Sequence, residues 1–274
     1  MVKRGRHTAH RPAWRQVGEG VFVRRHESYD LNVGLIVGDG ACLVIDTRAS
    51  HAEARDLVGA IRQVTTHPWV VVNTHAHFDH YFGNAVFLPA PIWGHERCAE
   101  VIALHGEEHR RQVIAEGGPA AELREVDIQA PDRVFATSAT VDVGGRIVAL
   151  DHLGRGHTDN DIVVSVPDAG VVFAGDLVEQ GAAPAFEDSF PLDWPSATGR
   201  LLAMVTGVVV PGHGDVVSGA FVESQREELA ALAELVSRAF AEGRPPGDAG
   251  AGSPFPPEVT RVAVDRAYRQ LRDA

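Results

Sequence analysis

Four times in this chain an apolar or strand-like run leads into histidines or aspartates, usually with a glycine beside them. Val70-Val71-Val72 leads into His75-Ala-His77-Phe-Asp79-His80. Arg146 to Leu150 leads into Gly154-Arg155-Gly156-His157-Thr158. Val171 to Ala174 ends in Gly175-Asp176, and Val208 to Val210 ends in Pro211-Gly212-His213-Gly214. Runs that are apolar throughout suit strands buried on both faces. Side chains at strand ends stand on a rigid sheet yet face an open edge, where a cleft can form. Glycine lets another backbone approach closely. The densest piece carries four metal-ligand side chains in six residues. Along a strand His75 and His77 point the same way, and a turn into a helix swings Asp79 and His80 round from the other side. Imidazole with carboxylate suits zinc, with iron and manganese as less frequent choices. Each residue alone is as readily a loop residue or a helix cap. Together they point to one centre built from His75, His77, Asp79, His80, His157, Asp176 and His213.

The order H-x-H-x-D-H, G-H-T, G-D and P-G-H-G resembles the metallo-β-lactamase superfamily of metal-dependent hydrolases, from about Val17 to Ala241. The resemblance implies an α/β fold (α+β in some schemes): a four-layer αβ/βα sandwich of two mixed sheets flanked by helices. It implies two zinc ions per chain, with iron or manganese as substitutes. His75, His77 and His157 would hold the first, and Asp79, His80 and His213 the second, with Asp176 bridging. Asp46, which ends the strand Cys42 to Ile45, matches the superfamily's early aspartate and would support the site from behind. Five neutral imidazoles and two carboxylates around two divalent ions leave a formal charge of +2, and a bridging hydroxide lowers it to +1. Zinc lowers the pKa of bound water towards ~7. Asp79 and Asp176 are the expected catalytic residues, Asp79 orienting the hydroxide. The sequence contains no G-x-S-x-G elbow, so direct hydrolysis is expected.

The expected substrate is a small molecule with an ester, thioester, lactone or amide bond. Zinc β-lactamases usually carry Cys or Ser where this chain has Asp176, although Gly156 to Asn160 is close to the matching stretch of several of them, so β-lactams remain an alternative. Glyoxalase II shares the first motif and the bridging aspartate, but its C-terminal basic residues have no counterpart here, because Lys3 is the only lysine. Positive charge is therefore almost all arginine, and a substrate carboxylate or phosphate would need an arginine clamp. Persulfide dioxygenases resemble the same superfamily and keep one iron on residues matching His75, His157 and Asp176. A metal-binding protein without turnover is a third reading.

At 274 residues the chain can bury a substantial core. A net charge of −12 argues against a nucleic-acid surface, and no 18-residue apolar stretch predicts a membrane span. Residues 1–15 read as a basic, mobile arm without the apolar stretch of a secretory signal. Cys42 and Cys98 read as small buried hydrophobes, with a reducing cytoplasm as the default compartment. Residues 16–242 form the expected catalytic domain, residues 243–257 a Pro/Gly-rich linker, and Glu258 to Leu271 a helix that docks on the body or on a second copy in a homodimer. The segments Leu104 to Asp132 and Gln180 to Trp194 are the expected pocket walls, the latter an aromatic and acidic lid. His105-Gly-Glu-Glu-His109 matches an inverted zinc-protease motif. Gly106 and the neighbouring charges make it a solvated helix face instead. His95 reads as a hydrogen-bonded structural histidine.

Overall fold

The computed structural model describes residues 13–273. Most of the expected N-terminal arm lies outside them, and its last residue, Arg15, already belongs to a strand. Seven strands form the first sheet in chain order. They are β1 (Arg15–Gly18), β2 (Val21–Arg25), β3 (Asn32–Val37), β4 (Cys42–Ile45), β5 (Trp69–Val72), β6 (Ile92–His95) and β7 (Arg133–Phe135). The first four are antiparallel neighbours, and β4 to β7 run parallel. The connections carry α1 (His51–Val64), α2 (Phe78–Tyr81), α3 (Glu96–Ala115) and α4 (Ala120–Leu123). The last of these lies within the segment Leu104 to Asp132, the expected pocket wall.

The second sheet holds β8 (Ser138–Val143), β9 (Arg146–Asp151), β10 (Val163–Val166), β11 (Val171–Glu179), β12 (Val208–His213) and β13 (Val217–Ser218). Its order is β13-β12-β11-β10-β9-β8, antiparallel except where β11 meets β12. Behind it lie α5 (Trp194–Leu202), α6 (Gly219–Ala241) and α7 (Pro257–Arg272).

Three apolar layers explain the architecture. Leu43, Ile45 and Val72 of the first sheet meet Val148, Val164 and Phe173 of the second. Alternate residues Cys42, Val44 and Val71 face the other way, onto Leu57 and Ile61 of α1. On the far side, Val172 and Ala174 pack with Leu229, Val236, Ala263 and Ala267 of the C-terminal helices. Strands between two apolar layers must be apolar at every position, as the sequence is. Each fully buried Val, Leu or Ile contributes about 1.5–3 kcal/mol of transfer free energy. α1 starts where the Ser50 side chain accepts from the Glu53 amide, satisfying a donor that the first helical turn leaves free. α7 docks on the body, with its Tyr268 hydroxyl donating to the Arg244 carbonyl at 2.7 Å. Among the described residues, no helix is long and apolar enough to cross a membrane.

Candidate metal centre

The structure brings all seven expected ligand residues to one edge of the sandwich. β5 stops at Val72, so His75 and His77 sit in a bend rather than on the strand, and His77 caps the short α2 that carries Asp79 and His80. His157 comes from the loop after β9, and His213 ends β12. Asp176 lies inside β11, which the sequence reading ends at Ala174 and the structure carries on to Glu179. The ladder to β12 is irregular between Phe173 and Gly175 and again before Glu179, and Gly175 has φ +52°. Such an irregularity bends a strand and re-aims a side chain. Gly212 completes the approach, because a Cβ there would lie 1.7 Å from Asp176 Oδ1.

Among the described residues two donor groups stand out, His75, His77, His157 and Asp176 beside Asp79, His80 and His213. Asp176 Oδ2 lies 3.6 Å from His75 Nε2, 3.5 Å from His157 Nε2 and 3.1 Å from His213 Nε2, while its Oδ1 lies 3.4 Å from His80 Nε2. Asp79 Oδ2 lies 3.6 Å from His213 Nε2 and 3.7 Å from His80 Nε2. Two donors each about 2.0–2.1 Å from one tetrahedral zinc stand roughly 3.4 Å apart, so these spacings match a shared ion. Buried His75 Nε2, His80 Nε2 and Asp176 Oδ1 have no hydrogen-bond partner. Unsatisfied buried polar atoms are costly, and a cation at this point would satisfy all of them. The donors are imidazole and carboxylate without thiolate, since both cysteines are buried elsewhere, which suits zinc, iron or manganese.

Four of the five imidazoles also have a hydrogen-bond partner on the outer nitrogen. His80 Nδ1 lies 2.8 Å from Asp46 Oδ2, and His77 Nε2 lies 3.1 Å from Asp188 Oδ2. His213 Nδ1 donates to the Tyr29 carbonyl at 2.6 Å, and His75 Nδ1 lies 3.1 Å from Thr74 Oγ1. His157 Nδ1 makes no hydrogen bond, although Glu179 Oε1 lies 3.5 Å from it. Such partners fix the tautomer that leaves the inner nitrogen's lone pair free for a metal. Asp46, at φ +64°, also accepts from the Thr74 amide and hydroxyl, each at 2.8 Å. The cap of α1 belongs to Ser50, so Asp46 serves the site.

The electrostatics demand positive charge here. Burial opposes ionisation of Asp176, but His213, His80 and His75 outweigh it and hold its carboxyl well below the usual range. Burial likewise opposes protonation of His213 and His77. Asp176 nonetheless lifts His213 to about 10, and Asp188 lifts His77 to about 9. His80 is raised well above its ordinary value against its own burial, chiefly by Asp176, Asp79 and Asp46. Without a cation the carboxylates recruit protons to these imidazoles, and a divalent metal would replace them.

The centre opens into a cleft of about 520 Å³. Several contacts around it escape the sequence reading. Glu179 is buried beside the centre, where desolvation and the Asp176 charge raise it to about 8. Asp188 is lowered to about 2 against its burial by the hydrogen bond to His77. Asn160 Oδ1 accepts from the Ala76 amide at 2.9 Å, and Asp161 accepts from the Thr158 amide and hydroxyl at 2.7 and 2.6 Å, so the two loops lock together. The protease-like motif divides: His105 is exposed, whereas His109 lines the cleft and meets the Tyr81 hydroxyl at 3.2 Å. Treating the pair as one solvated face is therefore corrected for His109. His95 is structural, with Nε2 on the Ala136 carbonyl at 2.9 Å and Nδ1 accepting from the Arg97 amide. The expected lid is half right, since Phe186 and Trp194 are buried in the core while Glu187 and Asp188 line the cleft.

A family model described as the metallo-beta-lactamase superfamily matches residues 30–213. Acyl-coenzyme A thioesterase MBLAC2 of Bos taurus is 25% identical over 231 residues, covering 73% of this chain and 80% of that protein. Metallo-beta-lactamase type 2 of Bacteroides fragilis is 27% identical over 120 residues, 42% of this chain, so the match spans about half (48%) of that enzyme's length. Among solved structures, a metallo-beta-lactamase from Pontibacter korlensis superposes with a TM-score of 0.67 at 22% identity, over 80% of this chain and 98% of that one. The sec-alkylsulfatase Pisa1 from Pseudomonas sp. gives 0.78 at 15% identity, over 94% of this chain and 50% of that one. The chain belongs to the metallo-beta-lactamase superfamily, and it has that superfamily's fold.

Proposed function

We propose that this superfamily member is a zinc-dependent hydrolase that cleaves an ester, thioester, lactone or amide bond of a small molecule. The observation that carries the reading is the doubled arrangement of the imidazoles, with inner nitrogens converging on Asp176 and four of the five outer nitrogens met by hydrogen-bond partners. His75, His77 and His157 would hold one ion and Asp79, His80 and His213 the other, with Asp176 shared. Bound zinc would supply Lewis acidity and hydroxide at neutral pH. Asp79, which lines the cleft, would accept a hydrogen bond from the attacking water and aim its lone pair at the carbonyl. Asp176, fixed by Gly212 and the irregular β11, would keep the two donor groups at one separation. Phe78, Val113 and Ala185 would give the substrate an apolar wall.

A thioester is the first bond to test, because the relative whose match extends over most of both chains is named a thioesterase. Purified protein should carry about two zinc ions per chain and hydrolyse thioesters, and His77→Ala should lose both properties. One iron per chain with oxygen consumption and no hydrolysis would replace this reading with the dioxygenase one.

A further inference from the structure

We propose that the cleft selects uncharged or cationic substrates and discriminates against carboxylates, phosphates and sulfates, with Glu116, Glu187 and Asp188 setting that preference. The inference rests on the hydrolase reading and narrows its substrate class.

Beyond the candidate metal ligands, the cleft is lined by the apolar Phe78, Val113 and Ala185 and by the carboxylates of Glu116, Glu187 and Asp188. No arginine or lysine lines it among the described residues. Recognition of an anionic group normally relies on a guanidinium fork or an ammonium. The guanidinium groups nearby are turned to other tasks. Arg266 approaches the lid from behind, donating to the Asp188 and Ser189 carbonyls at 2.7 and 3.0 Å. Arg110 donates to the Val126 carbonyl at 2.9 Å and pairs with Glu107. Arg25 pairs with Asp30 and Asp215.

Two fields of opposite sign therefore meet in the cleft. At its floor the convergent, unpartnered nitrogens mark a place for cations, which would attract a carbonyl oxygen. At its mouth the exposed carboxylates of Glu116 and Glu187, beside Asp188 on His77, repel an anion to which no arginine or lysine lining the cleft among the described residues offers a clamp. A thioester of coenzyme A, with several phosphates, has the wrong charge for this mouth. A thioester of a neutral or quaternary-ammonium thiol has the right one, its acyl chain lying on Phe78 and Val113.

The test uses the full chain loaded with zinc and three thioesters sharing a butyryl group. Their thiols are thiocholine (cationic), mercaptoethanol (neutral) and mercaptopropionate (anionic). Turnover is measured for each. Binding is measured by calorimetry with the matching ketones, in which a methylene replaces sulfur. The carboxylate compound should trail the neutral one at least about tenfold in kcat/KM and in ketone affinity at low ionic strength. The gap should shrink in high salt, where charges on the surface are screened, and it should close in the Glu116→Lys/Glu187→Lys double variant. Equal binding of the anionic and neutral ketones, or a gap indifferent to that double variant, would overturn the charge preference. Ketone binding in the expected order without hydrolysis of any thioester would uphold the preference and count against hydrolysis. Hydrolysis without the order would do the reverse.

Discussion

Replacing Asp46 by Asn should unload one metal position and leave the other intact. Asp46 Oδ1 accepts from the Thr74 amide, and Oδ2 accepts from both the Thr74 hydroxyl and His80 Nδ1, all at 2.8 Å. Asparagine keeps one acceptor and turns the other into a donor. If the amide oxygen stays on the Thr74 N–H, the new NH₂ faces His80 Nδ1 and drives the imidazole proton to Nε2. That nitrogen faces Asp176 Oδ1 at 3.4 Å, and once protonated it has no lone pair for a metal. Flipping the amide abandons the Thr74 backbone donor instead, at a cost of about 1–3 kcal/mol. Loss of such an outer partner lowers metal affinity about 10–100-fold, equivalent to about 1.4–2.8 kcal/mol. The backbone tolerates the change, because Asn adopts the +64° φ of this position as readily as Asp. Zinc titration against a chromophoric chelator should show one dissociation constant weakened by that factor and the other unchanged. Two wild-type affinities, or equal loss at both positions, would refute the tautomer argument.

Gly212→Ala should be more damaging than its size suggests, because the new methyl would sit 1.7 Å from Asp176 Oδ1; metal analysis should find both positions depleted in protein that remains folded by circular dichroism. His77→Ala should abolish turnover and metal retention, whereas His105→Ala, on the exposed face of α3, should leave both within about twofold of wild type by direct assay. Zinc binding near pH 7 should release protons, since His77 and His213 are raised in the metal-free protein to about 9 and about 10. Groups so raised are protonated below those values, so apparent zinc affinity should climb as pH rises towards 9; calorimetry in buffers of different ionisation enthalpy measures the protons directly. The same shifts favour the metal-free fold below pH ~6.5, the unfolded histidine value, and that contribution should fade as pH rises through 9 to 10. Melting temperatures of the stripped protein across that range check the sign.

Most of the strands that carry the ligands are readable because both of their faces are buried. β4, β5, β11 and β12 begin as continuous apolar runs, and the first polar residue after such a run marks the open edge, as Asp46 and His213 do, whereas β9, which leads to His157, is buried only at alternate positions. The register irregularity that turns Asp176 inward was not readable, because it depends on how β11 lies along β12. Once β11 is ended at Ala174, Glu179 becomes a loop residue, and its contact with His157 disappears from view. From the sequence Asp188 reads as one acid of the expected aromatic and acidic lid, with no sign of its bond to His77. Its place at His77 depends on Arg266, 78 residues away, which holds the loop by its carbonyls. Periodicity could not separate His109 from His105, because residues four apart share a helix face; what divides them is where the cleft ends along α3, which reaches His109, Gln112, Val113 and Glu116.

The most direct measurement is anomalous diffraction at the zinc edge from crystals of the fully loaded chain. Two peaks are expected, one within bonding distance of His75, His77 and His157, the other of Asp79, His80 and His213, with Asp176 reaching both. A fully metallated crystal in which His157 or His213 points away from the ions, or in which the ions lie elsewhere, would contradict the centre built here.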